Sequence, residues 1–260
     1  MSEIVKCIDI SHWQGFPNFE EVHAAGVIAM IHKATEGTGY SDPNRGINCK
    51  NAIDAGIAIA TYHWIKPGSN AADQMAYYLD VIEPVEGERV VIDYEEDGCT
   101  LDQLKVAVEY LKSVGGDLQV TIYSGHLLKE QLGGKHDSFL ADNTDLWLAQ
   151  YTTGTPSWPS GTYPEWTLWQ YSETGEIDGI NDSYVDLNRY NGSDEELLSW
   201  ISPAGIAPEP PEPTPPETSV QVAVTAPSNV QVNVSVNGQA VGRIRRPRQR
   251  LLIPRGPDLK

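Results

Sequence analysis

Two carboxylates lie two residues apart in the segment VVIDYEEDG, which spans residues 90–98. The apolar run before Asp93 predicts a β-strand, and side chains two apart on a strand share a face, so Asp93 and Glu95 should point the same way. Two adjacent carboxylates do not both ionise easily, so the pKa of one rises and that group can act as a general acid. Glycoside hydrolysis needs such an acid and a second group that stabilises positive charge on the sugar. Glu96 should face the opposite way, and a solvated acidic turn is the alternative explanation of the segment.

Other predicted strands also end in polar and aromatic side chains. In a barrel of parallel strands the chemistry lies at the C-terminal strand ends, so these residues should share one mouth. Tyr and Trp rings suit the apolar faces of sugars, and the convergence is more informative than any single residue. The side chains at these ends are Asp9, Ser11, His12, Trp13, Lys33, Glu36, Tyr62, His63, Trp64, Tyr123, Trp147, Gln150, Tyr151, Trp169, Gln170, Tyr171, Asp186 and Asn188.

Metal and triad chemistry fit the sequence less well. There is no D-x-D-x-D calcium loop, and His12, His32 and His63 lack an H-x-x-x-H spacing, so we expect no metal and no cofactor. Asp9, Ser11 and His12 suggest a triad, but near-adjacent residues do not easily form that geometry and no G-x-S-x-G elbow occurs. His63 taken alone is more often a structural histidine than a ligand-binding one.

The elements that would position these residues alternate along the first 201 residues. Strand patterns are followed by helical patterns, and the segment at 100–115 has the clearest amphipathic stripe. Eight strands are the number that closes a barrel, but the last three are separated by few helical residues. We therefore expect an α/β, TIM-like barrel with five βα units, three further strands and an irregular second half. The predicted strands are 4–10, 27–35, 57–65, 89–95, 118–124, 145–151, 166–172 and 184–190; the helices are 18–26, 44–56, 70–82, 100–115 and 193–201.

Composition limits the classes of function. The net charge of −18 over 260 residues argues against nucleic-acid binding. No apolar run reaches the roughly 18 residues of a membrane helix. The N-terminal segment carries Glu3 and runs straight into a strand pattern, which is unlike a signal peptide. Cys7, Cys49 and Cys99 lack metal-ligand spacing and are expected to be reduced and buried.

Residues 202–219 are rich in proline, which predicts a semi-rigid linker. The linker would separate a body at residues 1–201 from a tail at residues 220–260. Residues 219–260 carry seven Arg or Lys and one Asp, a net charge of +6, which leaves −24 for residues 1–218. The tail alternates valine with polar residues and contains VNGQ, which predicts a small β-hairpin. A poorly ordered extension is the alternative. As a docking element, the tail would bind an anionic wall polymer, a membrane surface or a virion protein.

Eight short motifs occur in order: DISHWQG, KATEG, TYHW, VIDYE, IYS, LWLAQY, LWQYS and VDLNRY. Together they resemble glycoside hydrolase family 25, the Chalaropsis-type lysozymes of bacteria, fungi and phages, over residues 4 to about 192. The resemblance implies a flattened barrel that cleaves the β-1,4 bond between N-acetylmuramic acid and N-acetylglucosamine in peptidoglycan. It implies that Glu95 is the general acid, that Asp93 assists the substrate's N-acetyl group, and that Asp9 and Asp186 line the cleft. The sequence leaves the stereochemical route open, because the two-carboxylate rule has substrate-assisted exceptions.

The predicted substrate-binding residues combine the strand ends with these motifs. They are Glu36, Tyr62, His63, Tyr123, Trp147, Gln150, Trp169, Gln170 and Asn188. The leading hypothesis is a muramidase acting as a phage or prophage lysin, either held in the host cytoplasm before release to the wall or carried on the virion. A non-catalytic glycan-binding or structural virion component is the alternative from another class. A glycosidase of chitin-like polymers is a third.

Overall fold

The computed structural model describes residues 4–202, apart from residues 115 and 182, and two further strands at Val232–Val236 and Gln239–Ile244. The chain divides into two compact units, Met1–Glu212 and Pro213–Lys260. Within the described ranges, no helix has the length and apolar character needed to cross a membrane. All three cysteines are buried and free, as expected.

Nine strands and seven α-helices make up the first unit as described. The strands are β1 Cys7–Ile10, β2 Ala29–Glu36, β3 Tyr40–Ser41, β4 Ala58–Trp64, β5 Arg89–Asp93, β6 Gln119–Ser124, β7 Asp145–Ala149, β8 Leu168–Gly175 and β9 Val185–Tyr190. The helices are α1 Phe19–Ala24, α2 Arg45–Asp54, α3 Ala71–Ile82, α4 Leu101–Val114, α5 His126–Leu132, α6 Ser138–Asn143 and α7 Asp194–Ile201, and a 3-10 turn spans His12–Gln14.

Eight of these strands close into a mixed barrel, which confirms the predicted fold class. Strands β1, β2, β4, β5, β6, β7 and β8 run parallel in sheet order, and β9 lies antiparallel between β8 and β1. Five βα units precede the three last barrel strands, as the sequence predicts. The irregular half has two causes. A connection without a helix, residues 150–167, joins β7 to the parallel β8, and β8 and β9 form an antiparallel pair, which needs no crossover helix.

The barrel interior is filled from one end by helix α7. Strand residues facing inward at that end are small, among them Ala29, Ala58 and Ala60, and they share one buried cluster with Trp200 and Ile201 of α7. A capping box at Ser193 and Glu196 starts the helix. Small strand side chains thus leave the space that the helix occupies, and the open mouth lies at the opposite end of the parallel strands.

The helices form an outer layer that covers the outward faces of the barrel strands. In α4, Leu104, Val108 and Leu111 are fully buried against this layer, which confirms the predicted amphipathic stripe. Burial of about 1.5–3 kcal/mol per large apolar side chain is what holds such a helix to the sheet.

The structure also contains elements that the sequence did not predict. Helices α5 and α6 and the two-residue strand β3 were not predicted, and each spans seven residues or fewer. Strand β8 continues to Gly175, beyond the predicted end at residue 172.

In the second unit, Val232–Val236 pairs antiparallel with Gln239–Ile244, with a register shift between Val234 and Ser235. These strands flank positions 237–238, where the sequence predicts the hairpin turn. The predicted linker lies outside the described residues from position 203 onward.

Candidate active site

A pocket of about 270 Å³ opens at the C-terminal ends of the parallel strands. Its size is just below the roughly 300–1,000 Å³ typical of pockets that enclose a drug-sized ligand. Five carboxylates and several aromatic rings surround it. The lining residues are Asp9, Tyr62, Trp64, Asp93, Glu95, Tyr123, Trp147, Tyr151, Gln170, Glu173 and Asp186.

The chain after β5 supplies the central pair of carboxylates. Asp93 is the last residue of β5, and both Asp93 and Glu95 line the pocket, as the period of two predicts. Tyr94, between them, points the other way into the outer core, and its hydroxyl donates to Gln131 at 2.6 Å. Glu96 is likewise outside the pocket and accepts a hydrogen bond from the Trp64 indole N–H at 2.7 Å. Strand alternation therefore separates two inward carboxylates from an outward one.

Asp93 and Glu95 differ in exposure. Asp93 is only 4% exposed, and its Oδ1 is buried without a hydrogen-bond partner among the described residues. Burial, and then the neighbouring Glu95 charge, raise the pKa of Asp93 well above its usual range. Glu95 is half-buried, and burial raises its pKa too, although the charges of His126 and Lys33 oppose that rise. Both carboxyls are therefore biased toward the protonated form.

A second pair of carboxyls, Asp9 and Asp186, faces the same space from β1 and β9. The two residues are directly opposite each other across the antiparallel pairing. Burial, and then the Asp186 charge, raise the pKa of Asp9, while burial raises the pKa of Asp186 to about 6. Because the two residues face each other, ionisation of one carboxyl disfavours ionisation of the other.

Two side-chain amides fix the position of the Asp9 carboxylate. Its Oδ2 accepts from Gln170 Nε2 at 2.9 Å and from Asn188 Nδ2 at 2.8 Å. Each amide is oriented in turn by an aromatic donor: Tyr123 OH donates to Gln170 at 2.8 Å, and the Trp147 indole N–H donates to Asn188 at 2.7 Å. This buried network leaves Asp9 little freedom to rotate.

The Trp64 ring, which lines the pocket, is held in place by charged side chains around it. Lys33 Nζ lies 4.9 Å from the centroid of the Trp64 ring and donates to Glu36 at 2.7 Å. Glu96, which accepts from the indole, also pairs with Lys66 at 2.6 Å. A cation at the ring face and a carboxylate at its N–H edge together set the orientation of this ring.

Comparison with known proteins decides the family. The model of "Glycosyl hydrolases family 25" matches residues 8–180. The chain belongs to glycosyl hydrolase family 25. It is 32% identical to Lysozyme M1 of Streptomyces globisporus over 215 residues, which cover 75% of this chain and 70% of that protein. It is 26% identical to the N,O-diacetylmuramidase of Chalaropsis sp, covering 74% of this chain and 97% of that one.

A solved structure agrees with these matches. The bacterial lysozyme from Streptomyces coelicolor superimposes with a TM-score of 0.69 at 30% identity, covering 79% of this chain and all of that chain (100%). The family 25 chain is therefore a glycoside hydrolase of the lysozyme, or muramidase, class.

In this family 25 chain, most of the predicted site residues lie together at the pocket. All four predicted catalytic carboxylates line the pocket, together with four of the predicted substrate-binding residues. These eight residues are Asp9, Asp93, Glu95, Asp186, Tyr62, Tyr123, Trp147 and Gln170.

Two predicted substrate-binding residues face the wrong side of their strands. His63 is fully buried under α3, where its ring nitrogens contact Thr35 Oγ1 at 2.7 Å and Gln74 Oε1 at 3.3 Å. Burial lowers the pKa of His63 to about 4. Trp169 lies in the outer core, and its indole N–H donates to the Gln150 carbonyl. Each is adjacent to a residue that lines the pocket, so strand alternation turns it away.

Three other predicted residues lie beside the pocket rather than in its lining. Gln150 accepts from Lys129 and Ser157. Asn188 supports Asp9 from the barrel interior. Burial alone would raise the pKa of Glu36, but its ion pairs with lysines outweigh burial and lower it.

Three lining residues, Trp64, Tyr151 and Glu173, were among neither the predicted catalytic nor the predicted substrate-binding residues. Trp64 and Tyr151 belong to the strand-end set but were not selected from it, and Tyr151 OH donates to Gln170 at 2.9 Å. Glu173 was missed because register shifts in β8 between Gln170 and Ser172 break the period of two. Gln170 and Glu173 are three positions apart, an odd spacing, yet both line the pocket, which no regular strand pattern predicts.

Proposed function

We propose that this lysozyme-class enzyme cleaves the β-1,4 bond between N-acetylmuramic acid and N-acetylglucosamine in peptidoglycan, with Glu95 as the general acid and Asp93 assisting the substrate's N-acetyl group. The observation that carries the proposal is the pair of inward carboxyls at the end of β5, Asp93 and Glu95. Both carboxyls face the pocket, both are biased toward protonation, and only Glu95 is partly exposed.

Accessibility and pKa together support Glu95 as the acid. A general acid must be protonated near the working pH and must reach the leaving oxygen. Burial raises the pKa of Glu95 while its side chain stays half-exposed at the pocket wall. The proton of Glu95 would pass to the glycosidic oxygen as the bond to the anomeric carbon breaks.

The position of Asp93 supports its role as the assisting group, because its carboxyl lines the pocket together with that of Glu95. Two neighbouring carboxyls do not both ionise easily, so the pair can hold one proton, on Glu95, and leave Asp93 ionised. The Asp93 carboxylate would then accept from the N–H of a substrate acetamido group, orient the acetamido carbonyl toward the anomeric carbon and stabilise the charge that develops on the amide.

The remaining groups would hold the sugar. Asp9 and Asp186 share hydrogen-bonding capacity for hydroxyl groups on one side of the pocket, and the aromatic rings supply apolar surface for sugar faces. Trp64 and Tyr62 stand on one strand, two residues apart, and both line the pocket. Trp147 and Tyr123 meet edge to face, with ring centroids 4.6 Å apart.

The test compares two neighbouring glutamates. Glu95→Gln should lower the rate of peptidoglycan solubilisation by about 100- to 10,000-fold, since that is the usual contribution of a general acid. Glu96→Gln is the matched control: Glu96 lies outside the pocket lining, and a glutamine there can still accept from the Trp64 indole N–H, so the rate should fall far less. A Glu95→Gln protein that is folded and retains a third of the activity would remove Glu95 from the acid role.

We also propose that the enzyme works as a phage or prophage lysin. In addition, we propose that the basic segment at residues 220–260 docks the enzyme to an anionic partner. The charge contrast between the segment and the acidic body supports the docking role. Production of the protein inside host cells, with and without a membrane pore, tests the release route. Lysis that needs the pore supports it, and lysis without any pore contradicts it.

A further inference from the structure

A row of neighbouring rings connects Trp64, which lines the pocket, with exposed residues outside the lining. Lys33 Nζ, which lies over the Trp64 ring, is also 5.5 Å from the centroid of the Tyr40 ring. The Tyr40 and His12 ring centroids are 6.1 Å apart, and the His12 and Trp13 centroids are 4.7 Å apart. The row ends at Trp13, whose side chain is 77% exposed. We call Trp13, His12 and Tyr40 the rim platform.

Single exposed aromatic residues are common on protein surfaces, so exposure alone says little. The distinguishing feature is that the loop carrying Trp13 is firmly fixed. The Trp13 backbone N–H donates to Ser11 Oγ at 3.3 Å, and Ser11 and Gln14 form a reciprocal capping box. Gln14 Nε2 also donates to the Tyr184 carbonyl at 2.9 Å, which ties this loop to the start of β9.

The buried carboxylate of Asp42 also holds this loop in place. Asp42 Oδ2 accepts from the His12 backbone N–H at 2.9 Å and lies 3.1 Å from His12 Nδ1. The side chains of Asn44 and Asn48 donate to the Gly15 carbonyl at 3.1 and 3.0 Å. An exposed indole on a backbone held this tightly loses little entropy when a ligand packs on it.

We propose that the rim platform binds a sugar of the same glycan strand outside the reaction pocket, so that the enzyme selects polymeric over short substrates. The inference rests on the proposed function, because its ligand is the strand that the pocket cleaves. The pocket of about 270 Å³ is too small for a polymer, so a strand that is cleaved in it must also pass over residues outside the lining. The Trp13 indole offers a flat apolar face, and the Tyr40 hydroxyl, beyond His12 in the same row, offers a polar atom.

The experiment compares substrates of two lengths. Peptide-free glycan strands are size-fractionated into a tetrasaccharide and long strands, and kcat/KM is measured for each with the full chain. Trp13→Ala should lower kcat/KM about tenfold on long strands, equivalent to roughly 1.4 kcal/mol, mainly through KM, and should leave the tetrasaccharide rate unchanged. Trp13→Phe should recover most of the loss. Phe16→Ala is the matched control, because Phe16 is 65% exposed on the same loop and is not part of the row of rings.

Binding separates this inference from the proposed catalytic roles. In the Glu95→Gln background, titration calorimetry with long strands should show weaker binding when Trp13→Ala is added. If Glu95→Gln still cleaves the strands, the acid assignment fails while the effect of Trp13 on affinity still stands. Equal losses on short and long substrates, equal effects of Trp13→Ala and Phe16→Ala, or unchanged affinity for long strands would overturn the platform.

Discussion

Replacing Asp186 by Asn should stabilise the protein at neutral pH and change its stability little in acid. Burial raises the pKa of Asp186 from its ordinary 3.8 to about 6. A carboxyl with a raised folded-state pKa contributes stability below its unfolded pKa, and that contribution is lost as pH rises through the folded pKa. The parent protein therefore loses stability between about pH 4 and pH 6 on account of this group.

The magnitude follows from the same numbers. A pKa difference of one corresponds to about 1.36 kcal/mol, so the full difference sets an upper limit of roughly 3 kcal/mol. Asp186 is only half-buried, and solvent screening reduces this to about 1–2 kcal/mol. An Asn amide at this position can also donate to Asp9 without adding charge beside it. The substitution should lower activity, since Asp186 lines the pocket.

Urea unfolding at several pH values tests the argument. The free energy of unfolding of Asp186→Asn should exceed that of the parent by about 1–2 kcal/mol at about pH 7.5, and the difference should shrink toward zero by about pH 4. Asp97→Asn, an exposed position outside the pocket, serves as the control. A difference that stays constant across this pH range would refute the reasoning, because it would then not come from ionisation.

Three further predictions concern the pocket, the barrel and the tail. Asp93→Asn should lower peptidoglycan hydrolysis severely but leave more activity than Glu95→Gln, since an amide can still orient the acetamido group; equal or greater loss in a steady-state assay would contradict this. Arg89→Met should lower the free energy of unfolding by about 2–4 kcal/mol, because Arg89 is buried against Trp200 and pairs with Asp145 at 2.7 Å, and unchanged urea unfolding would oppose it. Deleting residues 203–260 should preserve hydrolysis of small substrates and weaken lysis of whole cells, and equal lysis by both proteins would count against a docking tail.

Strand periodicity explains which parts of the site were predictable. Asp93 and Glu95 lie on a regular strand end, so a period of two identifies their common face without a structure. The same rule excludes His63 once Tyr62 is placed in the pocket, so that error was avoidable. Glu173 was not predictable, because it depends on register shifts in β8 that leave no mark in the hydrophobic pattern.

The fold was predictable to a similar degree. Five strand-helix alternations and three aromatic strands gave the barrel and its irregular half. The role of α7 was not predictable, because filling one end of the barrel depends on small inward residues of several distant strands, among them Ala29 and Ala58. Pairing of Asp9 with Asp186 likewise depends on a closure of the barrel between its first and last strands.

Digestion of purified peptidoglycan, followed by reduction of the products and mass spectrometry, tests the central claim most directly. A muramidase leaves products that end in reduced muramic acid, and we expect these from the parent protein and not from Glu95→Gln. Products that end in reduced glucosamine would contradict the assigned bond, and the absence of products from the parent protein would contradict catalysis by this pocket.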